Sequence, residues 1–286
     1  MVDKMKKKYY LASFSGGKDS TAMVLELIKR EFPLDEVMFC DTYKEFPQMY
    51  EHIEKVKKLV EKKGIKFTVL KSEKSFDYYM FEHVLKGKYK DKRGYSFPAS
   101  KRRWCTRALK LNVIKKHIST LKKDFSIYQY LGIACDEGYR LERESNKKEG
   151  LLFPLVEWEW DEKMCLDYCY KQGYDWSGLY EHFERVSCWL CPLQSLSGLR
   201  SLYKHYPSLW VELLGMEERT WMKFRADYSV KEMDLRFKLE EIRESLGLCV
   251  NFRKKEFRES YRRALENGLD VEVDYMKKSQ LNLFSE

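Results

Sequence analysis

The chain has 286 residues, 44% apolar and 15% aromatic, enough to pack one large domain or two modest ones. Lys and Arg number 54 against 45 Asp and Glu, a net charge of +9 that suits anionic partners. No apolar run approaches the length of a membrane span, and no secretory apolar region follows the basic start Met1-Val2-Asp3-Lys4, so a cytoplasmic protein with no membrane contact is expected.

The first strand signal is the apolar run at residues 9–14. It leads into Ser13-Phe14-Ser15-Gly16-Gly17-Lys18-Asp19-Ser20-Thr21 and then an amphipathic helix over residues 20–30. Strand, Gly-rich turn and helix together aim backbone N–H groups at a phosphate. Ser15, Ser20 and Thr21 add hydroxyls and Lys18 adds a point charge. A Walker-type loop is excluded because Asp19 separates Lys18 from Ser20. Further strands are expected at 36–40, 66–70 and 126–134. Helices are expected at 47–62, where Tyr50, Ile53, Val56, Leu59 and Val60 recur at helical spacing, and at 106–121. This alternation predicts an α/β fold: a parallel, Rossmann-like sheet with flanking helices. After about residue 160 helices dominate, at 162–172, 196–205, 207–224, 230–246 and 254–266, and the last ten residues read as a polar, frayed end. The expected organisation is a nucleotide-binding α/β domain over 1–160 and a mainly helical region over 161–286 that carries a C-x-x-C.

Ligands of open α/β sheets bind at the carboxyl ends of strands. Asp41 and Thr42 follow the second strand, where Asp41 suits a ribose or a magnesium ion, or else caps the helix starting at Pro47. Gly132, Asp136, Glu137 and Arg140 follow the fourth strand, where Arg140 suits an anionic part of the substrate and Asp136 or Glu137 a metal. In a reducing compartment the eight cysteines are not a disulfide framework. Cys188-Trp189-Leu190-Cys191 fits zinc, an iron–sulfur cluster, a redox pair or a structural role, and Cys105 is the third candidate metal ligand. His182, Cys135 and Cys40 are candidate fourth partners, whereas Cys165 and Cys169 read as core or surface and Cys249 reads as core. Residues 86–110 carry Lys86, Lys88, Lys90, Lys92, Arg93, Lys101, Arg102, Arg103, Arg107 and Lys110 against Asp91 alone, interleaved with Tyr89, Tyr95, Phe97 and Trp104. Such a stretch suits RNA, DNA or nucleotide phosphates, or is a solvated surface loop.

Residues 15–20 resemble the PP-loop of the adenine-nucleotide α-hydrolase superfamily. Asp41-Thr42 with Glu45-Phe46-Pro47, Trp104-Cys105-Thr106 with Leu109-Lys110, Phe153-Pro154-Leu155 with Trp158, and Arg185-Val186-Ser187-Cys188 with Cys191-Pro192 are similar to successive blocks of its phosphoadenosine phosphosulfate (PAPS) reductase branch. The resemblance implies a bound ATP or related adenine nucleotide, held by Ser13, Ser15, Gly16, Gly17, Lys18, Asp19, Ser20, Thr21, Asp41, Thr42, Gly132 and Asp136. It also implies Mg²⁺ and catalysis by Lys18, Asp19, Asp41 and Arg140. The Glu-Cys-Gly motif of assimilatory reductases is absent, since Leu248-Cys249-Val250 does not match it. The better fit is to relatives that cleave ATP between the α and β phosphates and adenylate a substrate for sulfur transfer. In that reading a zinc ion or a 4Fe–4S iron–sulfur cluster sits at Cys105, Cys188 and Cys191, with a sulfur-donor protein as a further partner. The alternatives are a sulfonucleotide reductase and a non-catalytic nucleotide- or nucleic-acid-binding accessory.

Overall fold

The structure is a computed structural model that describes residues 6–283, with side chains to residue 278. Five parallel strands, β1 (Lys7–Phe14), β2 (Glu36–Asp41), β3 (Lys66–Lys71), β4 (Phe125–Leu131) and β5 (Leu151–Leu152), form one sheet in the order β3-β2-β1-β4-β5. The chain steps outward from β1 to β2 and β3, then returns to lay β4 on the other side of β1. The strand order therefore switches between β1 and β4, and a crevice forms beyond their carboxyl ends.

The helices follow from buried stripes. In α1 (Lys18–Lys29), Ala22, Met23, Val24, Leu25 and Leu27 are all buried, because the helix packs against both β1 and α5 (Glu162–Lys171). In α2 (Pro47–Lys62), Pro47 opens the first turn, where its missing N–H costs nothing, and Met49, His52, Ile53, Val56 and Val60 form the covered face. The helix expected over 106–121 begins instead as a π-helical turn, Thr106–Leu111, before α3 (Asn112–Leu121). Short helices α4 (Pro154–Glu157) and α6 (Leu179–His182) flank α5.

The chain divides into two compact units, Met1–Cys191 and Pro192–Glu286. Helix α5 packs on α1, which makes 162–171 part of the first unit. The second unit holds α7 (Leu196–His205), α8 (Pro207–Glu218), α9 (Val230–Ser245), α10 (Lys255–Asn267) and α11 (Leu269–Leu283). Helix α8 ends six residues before the expected 224, and the Glu217 carboxylate then accepts the backbone N–H groups of Phe224 and Val230. Ser229 and Glu232 form a reciprocal capping box that starts α9. Leu239, Phe257, Tyr261, Ala264 and Met276 form one buried apolar cluster of this unit, and the carboxylate of Glu240 joins Arg200 and Arg236 at 2.7 and 2.9 Å. Helix α11 covers most of the stretch expected to fray; residues 284–286 lie outside the described residues. Among the described residues no helix is long and apolar enough to cross a membrane.

Candidate nucleotide site

The turn from β1 into α1 is built by its own side chains. Gly16 has φ +83°, and a Cβ there would stand 2.5 Å from Met49 Sδ and 3.3 Å from Ile53 Cγ1, so only glycine fits. Its carbonyl accepts the Trp176 indole N–H at 2.7 Å. Ser20 Oγ accepts the Ser15 N–H at 3.1 Å, donates to the Gly17 carbonyl at 3.0 Å and lies 3.0 Å from Ser15 Oγ. Gly17 precedes α1 without capping it by a side chain, so no capping side chain meets the positive end of the helix dipole. Ser15 is exposed there.

The end of β4 closes the other wall. A Cβ on Gly132 would lie 2.9 Å from Ser20 Cα and 3.0 Å from Ser20 N, so the backbone of this turn rests directly on the first turn of α1. Asp136, in the next turn, accepts the Glu162 N–H with both oxygens at 3.3 and 3.4 Å. Arg140 forms an ion pair with Glu137. Lys18 is buried, its ammonium paired with Glu162 and 3.8 Å from Asp19 Oδ1, while its backbone N–H donates to Tyr180 Oη at 2.8 Å.

Burial pushes the Asp19 carboxyl up to about 6; Lys18 opposes this, and Glu162, Glu137 and Asp136 add to it. The folded chain thus binds this proton more readily than the unfolded chain, so stability falls as pH rises from 3.8 to about 6 and stays lower above. Asp19→Asn should raise the melting temperature near pH 8, by the equivalent of roughly 1–3 kcal/mol. Near pH 3.5, where both states are protonated, it should have little effect. Thermal melts across pH check this, and an Asp19→Asn variant that melts with wild type at pH 8 would contradict it.

The structure gathers Ser15, Gly16, Gly17, Lys18, Asp19, Ser20, Gly132 and Asp136 at the ends of β1 and β4. It places three other expected residues in internal contacts. Ser13 Oγ accepts from Gln129 Nε2 at 2.7 Å within the sheet. Thr21 is fully buried, 3.0 Å from His52 Nε2; burial and then Lys55 pull that imidazole down to about 3, so it is neutral. Asp41 Oδ1 accepts from Tyr43 N and Tyr50 Oη at 2.7 and 2.8 Å, and its Oδ2 lies 3.0 Å from Lys71 Nζ. Trp176, Tyr180, Gln129 and Glu162 carry no mark in the sequence; each meets the site across at least 100 residues or from a turn with no motif.

Thr42 points elsewhere, donating to Glu45 Oε1 at 2.8 Å and lying 3.2 Å from Cys188 Sγ. Cys188 Sγ also donates to Glu45 Oε1 at 3.4 Å, and burial followed by Glu45 pushes its thiol up. Burial lowers and the neighbouring Cys188, Glu45, Cys40 and Cys105 raise the Lys110 ammonium, with a net rise. These side chains therefore share one neighbourhood. Cys191 N donates to the Cys188 carbonyl at 3.1 Å, which makes the C-x-x-C a tight turn. Among the described residues no group of three or more His, Cys, Asp or Glu side chains converges on a metal position. Cys165 and Cys169 are buried in α5, as a core role requires, whereas Cys249 is only half-buried.

The basic stretch forms a closed lobe. Val84 pairs with Arg93, and Gly94 N donates to the His83 carbonyl at 2.9 Å. His83, Tyr95 and Trp104 stack at its base, with centroids 4.5 and 5.8 Å apart. Lys86, Lys88, Lys90, Lys92 and Arg93 are all exposed at its tip, as are Lys101, Arg103 and Arg107 beyond it.

A family model described as the phosphoadenosine phosphosulfate reductase domain matches residues 9–194. The chain belongs to the PAPS reductase family. The matched span runs from β1 through the C-x-x-C and includes every motif on which the resemblance rests. Two uncharacterised proteins of Methanocaldococcus jannaschii are similar, at 27% identity over 212 residues and 29% over 216, each match taking in 71% of this chain. The matches cover 40% and 46% of those relatives, so the chain spans less than half the length of either. Among solved structures, the phosphoadenylyl-sulfate reductase of Candida auris superposes with TM-score 0.40 and 16% identity, covering 66% of this chain and 84% of that one. The U34-tRNA thiolase NcsA of Methanococcus maripaludis, solved with its 4Fe–4S cluster, gives TM-score 0.36 and 15% identity, covering 82% of this chain and 73% of that one.

Proposed function

We propose that this PAPS reductase family member binds ATP in the crevice between β1 and β4 and transfers the adenylyl group to an acceptor. The observation that carries the reading is the turn Ser15–Gly17, held open by Gly16 and walled by Gly132, with Lys18 and the first-turn amides of α1 at one place. An acceptor oxygen attacks the α-phosphorus, the bond to the bridging oxygen breaks, and pyrophosphate leaves toward these donors. They stabilise charge that grows as the bond breaks, which is the contribution that accelerates such a step.

Magnesium would accompany the phosphates rather than occupy a protein cage. Asp19 suits it: Oδ1 is buried with no hydrogen-bond partner among the described residues. Cys105, Cys188 and Cys191 remain the proposed ligands of a cluster or zinc ion. The donor set fits in kind, because two of these thiols, Cys105 and Cys188, lie beside a half-buried cation, Lys110, that would offset thiolate charge. Ligation requires Cys188 to give up its proton and its bond to Glu45. An iron–sulfur cluster, when bound, would supply a site for handling the sulfur brought by a donor.

The acceptor we propose is a nucleic acid, on the strength of the exposed cations of the basic lobe. The test is pyrophosphate release from ATP with RNA, DNA or small-molecule acceptors. Release should require the nucleic acid and fall steeply with salt. Replacing Lys101, Arg102 and Arg103 by Glu should cut it about tenfold or more at low salt. Release with a small molecule alone, indifferent to salt, would reject the nucleic-acid acceptor.

A further inference from the structure

We propose that Glu162 occupies the place of a nucleotide phosphate oxygen on Lys18, and that the nucleotide must displace it to bind. This rests on the reading of the turn as a nucleotide site. Lys18 offers two donors to an anion, its ammonium and its backbone N–H. Both are already met by internal oxygens, the Glu162 carboxylate and Tyr180 Oη. The Lys18 side chain is 8% exposed and the Glu162 side chain 41% exposed, so the carboxylate approaches from the solvent side. That is the side from which a ligand in the crevice would come.

The backbone of Glu162 is fixed while its side chain is not. Asp136 holds its N–H from the loop after β4, Asp161 caps α5 by accepting from Met164 N at 2.7 Å, and α5 packs along α1. Among the described residues the carboxylate has no hydrogen-bond or ion-pair partner other than Lys18, and rotation about its side-chain bonds carries it into water. A carboxylate and a phosphate cannot both sit on one ammonium without mutual repulsion, and Asp19 already lies 3.8 Å from it. The pair is half in water, so breaking it costs little. The outcome is a lowered affinity rather than a blocked site. Arg140 shows the same arrangement, its guanidinium held by Glu137 in the neighbouring turn.

The experiment is calorimetric titration of ATP into the full chain, wild type against Glu162→Gln, Lys18→Ala and the double variant, with steady-state kinetics beside it. Glu162→Gln keeps the shape and removes the charge. It should tighten ATP binding about three- to fivefold and lower KM by a similar factor without raising kcat. In the Lys18→Ala background the same change should have no effect, because the cation that Glu162 competes for is gone. Glu162→Asp, which keeps the charge, should not show the gain. If wild type binds ATP and Glu162→Gln binds it equally or more weakly, the displacement is wrong and Glu162 instead positions Lys18. If neither binds ATP, the nucleotide site itself is wrong and the displacement falls with it.

Discussion

Gly132→Ala should destabilise the protein and weaken nucleotide binding together, although its side chain would touch no ligand. The added methyl would meet backbone, at 2.9 Å from Ser20 Cα, 3.0 Å from Ser20 N and 3.2 Å from the Asp19 carbonyl carbon. Backbone cannot rotate away as a side chain can, so the end of β4 and the first turn of α1 must separate. Overpacking of this kind costs about 1–3 kcal/mol, and the melting temperature should drop by a few degrees. Separation also moves the amides of Asp19 and Ser20 relative to the loop, so ATP affinity should fall roughly tenfold, since small misplacements of preorganised donors are costly. Gly138→Ala is the control, because a Cβ there meets nothing within 4 Å. It should change stability by less than about 0.5 kcal/mol and leave binding alone. Equal behaviour of the two variants in thermal melts and titration would show that the close approach does not shape the site.

Lys18→Ala should abolish turnover while the fold persists. Its ammonium is a buried cation beside the loop, and the proposed step places a leaving pyrophosphate against it. Losing one such preorganised donor typically costs about 10²–10³ in rate. The fold should survive, because Glu162 is already half in water and loses little when its partner goes. The first turn of α1 is also held by Thr21 N on the Gly17 carbonyl at 3.0 Å and by the Lys18 amide on Tyr180, neither of which needs the side chain. Single-turnover pyrophosphate release, with circular dichroism on the same samples, separates loss of chemistry from loss of structure. A variant with near wild-type release would remove Lys18 from the mechanism.

The α/β unit was largely legible. Parallel strands read as short apolar runs, and β1, β2 and β3 lie within two residues of where the pattern puts them. Helix α2 matches end to end because Pro47 and a clean apolar stripe mark it. Strand β5, two residues long, has no pattern to read, and the π-helical opening of 106–121 has the same composition as an α-helix. At the site, the glycines and hydroxyls of the loop were legible as a tight strand-to-helix turn, which Gly16 and the hydrogen bonds of Ser20 build. Asp41 was legible as a position but its contacts were not, since Tyr43, Tyr50 and Lys71 meet its oxygens only once β3 and α2 are in place. Glu162 was invisible for a related reason: an acidic residue at the start of a helix is ordinarily read as a favourable first-turn charge. Lys110 looked like one more cation of the basic stretch, yet it sits among Cys188, Glu45, Cys40 and Cys105.

The most direct measurement is a calorimetric titration of ATP with magnesium into the wild-type chain, repeated in excess pyrophosphate. The central claim is that the Ser15–Ser20 turn holds the phosphate end of an adenine nucleotide. It predicts one ATP per chain, competed away by pyrophosphate and weakened at least tenfold in Lys18→Ala. Absence of binding, or ATP binding that neither pyrophosphate nor Lys18→Ala disturbs, would contradict it.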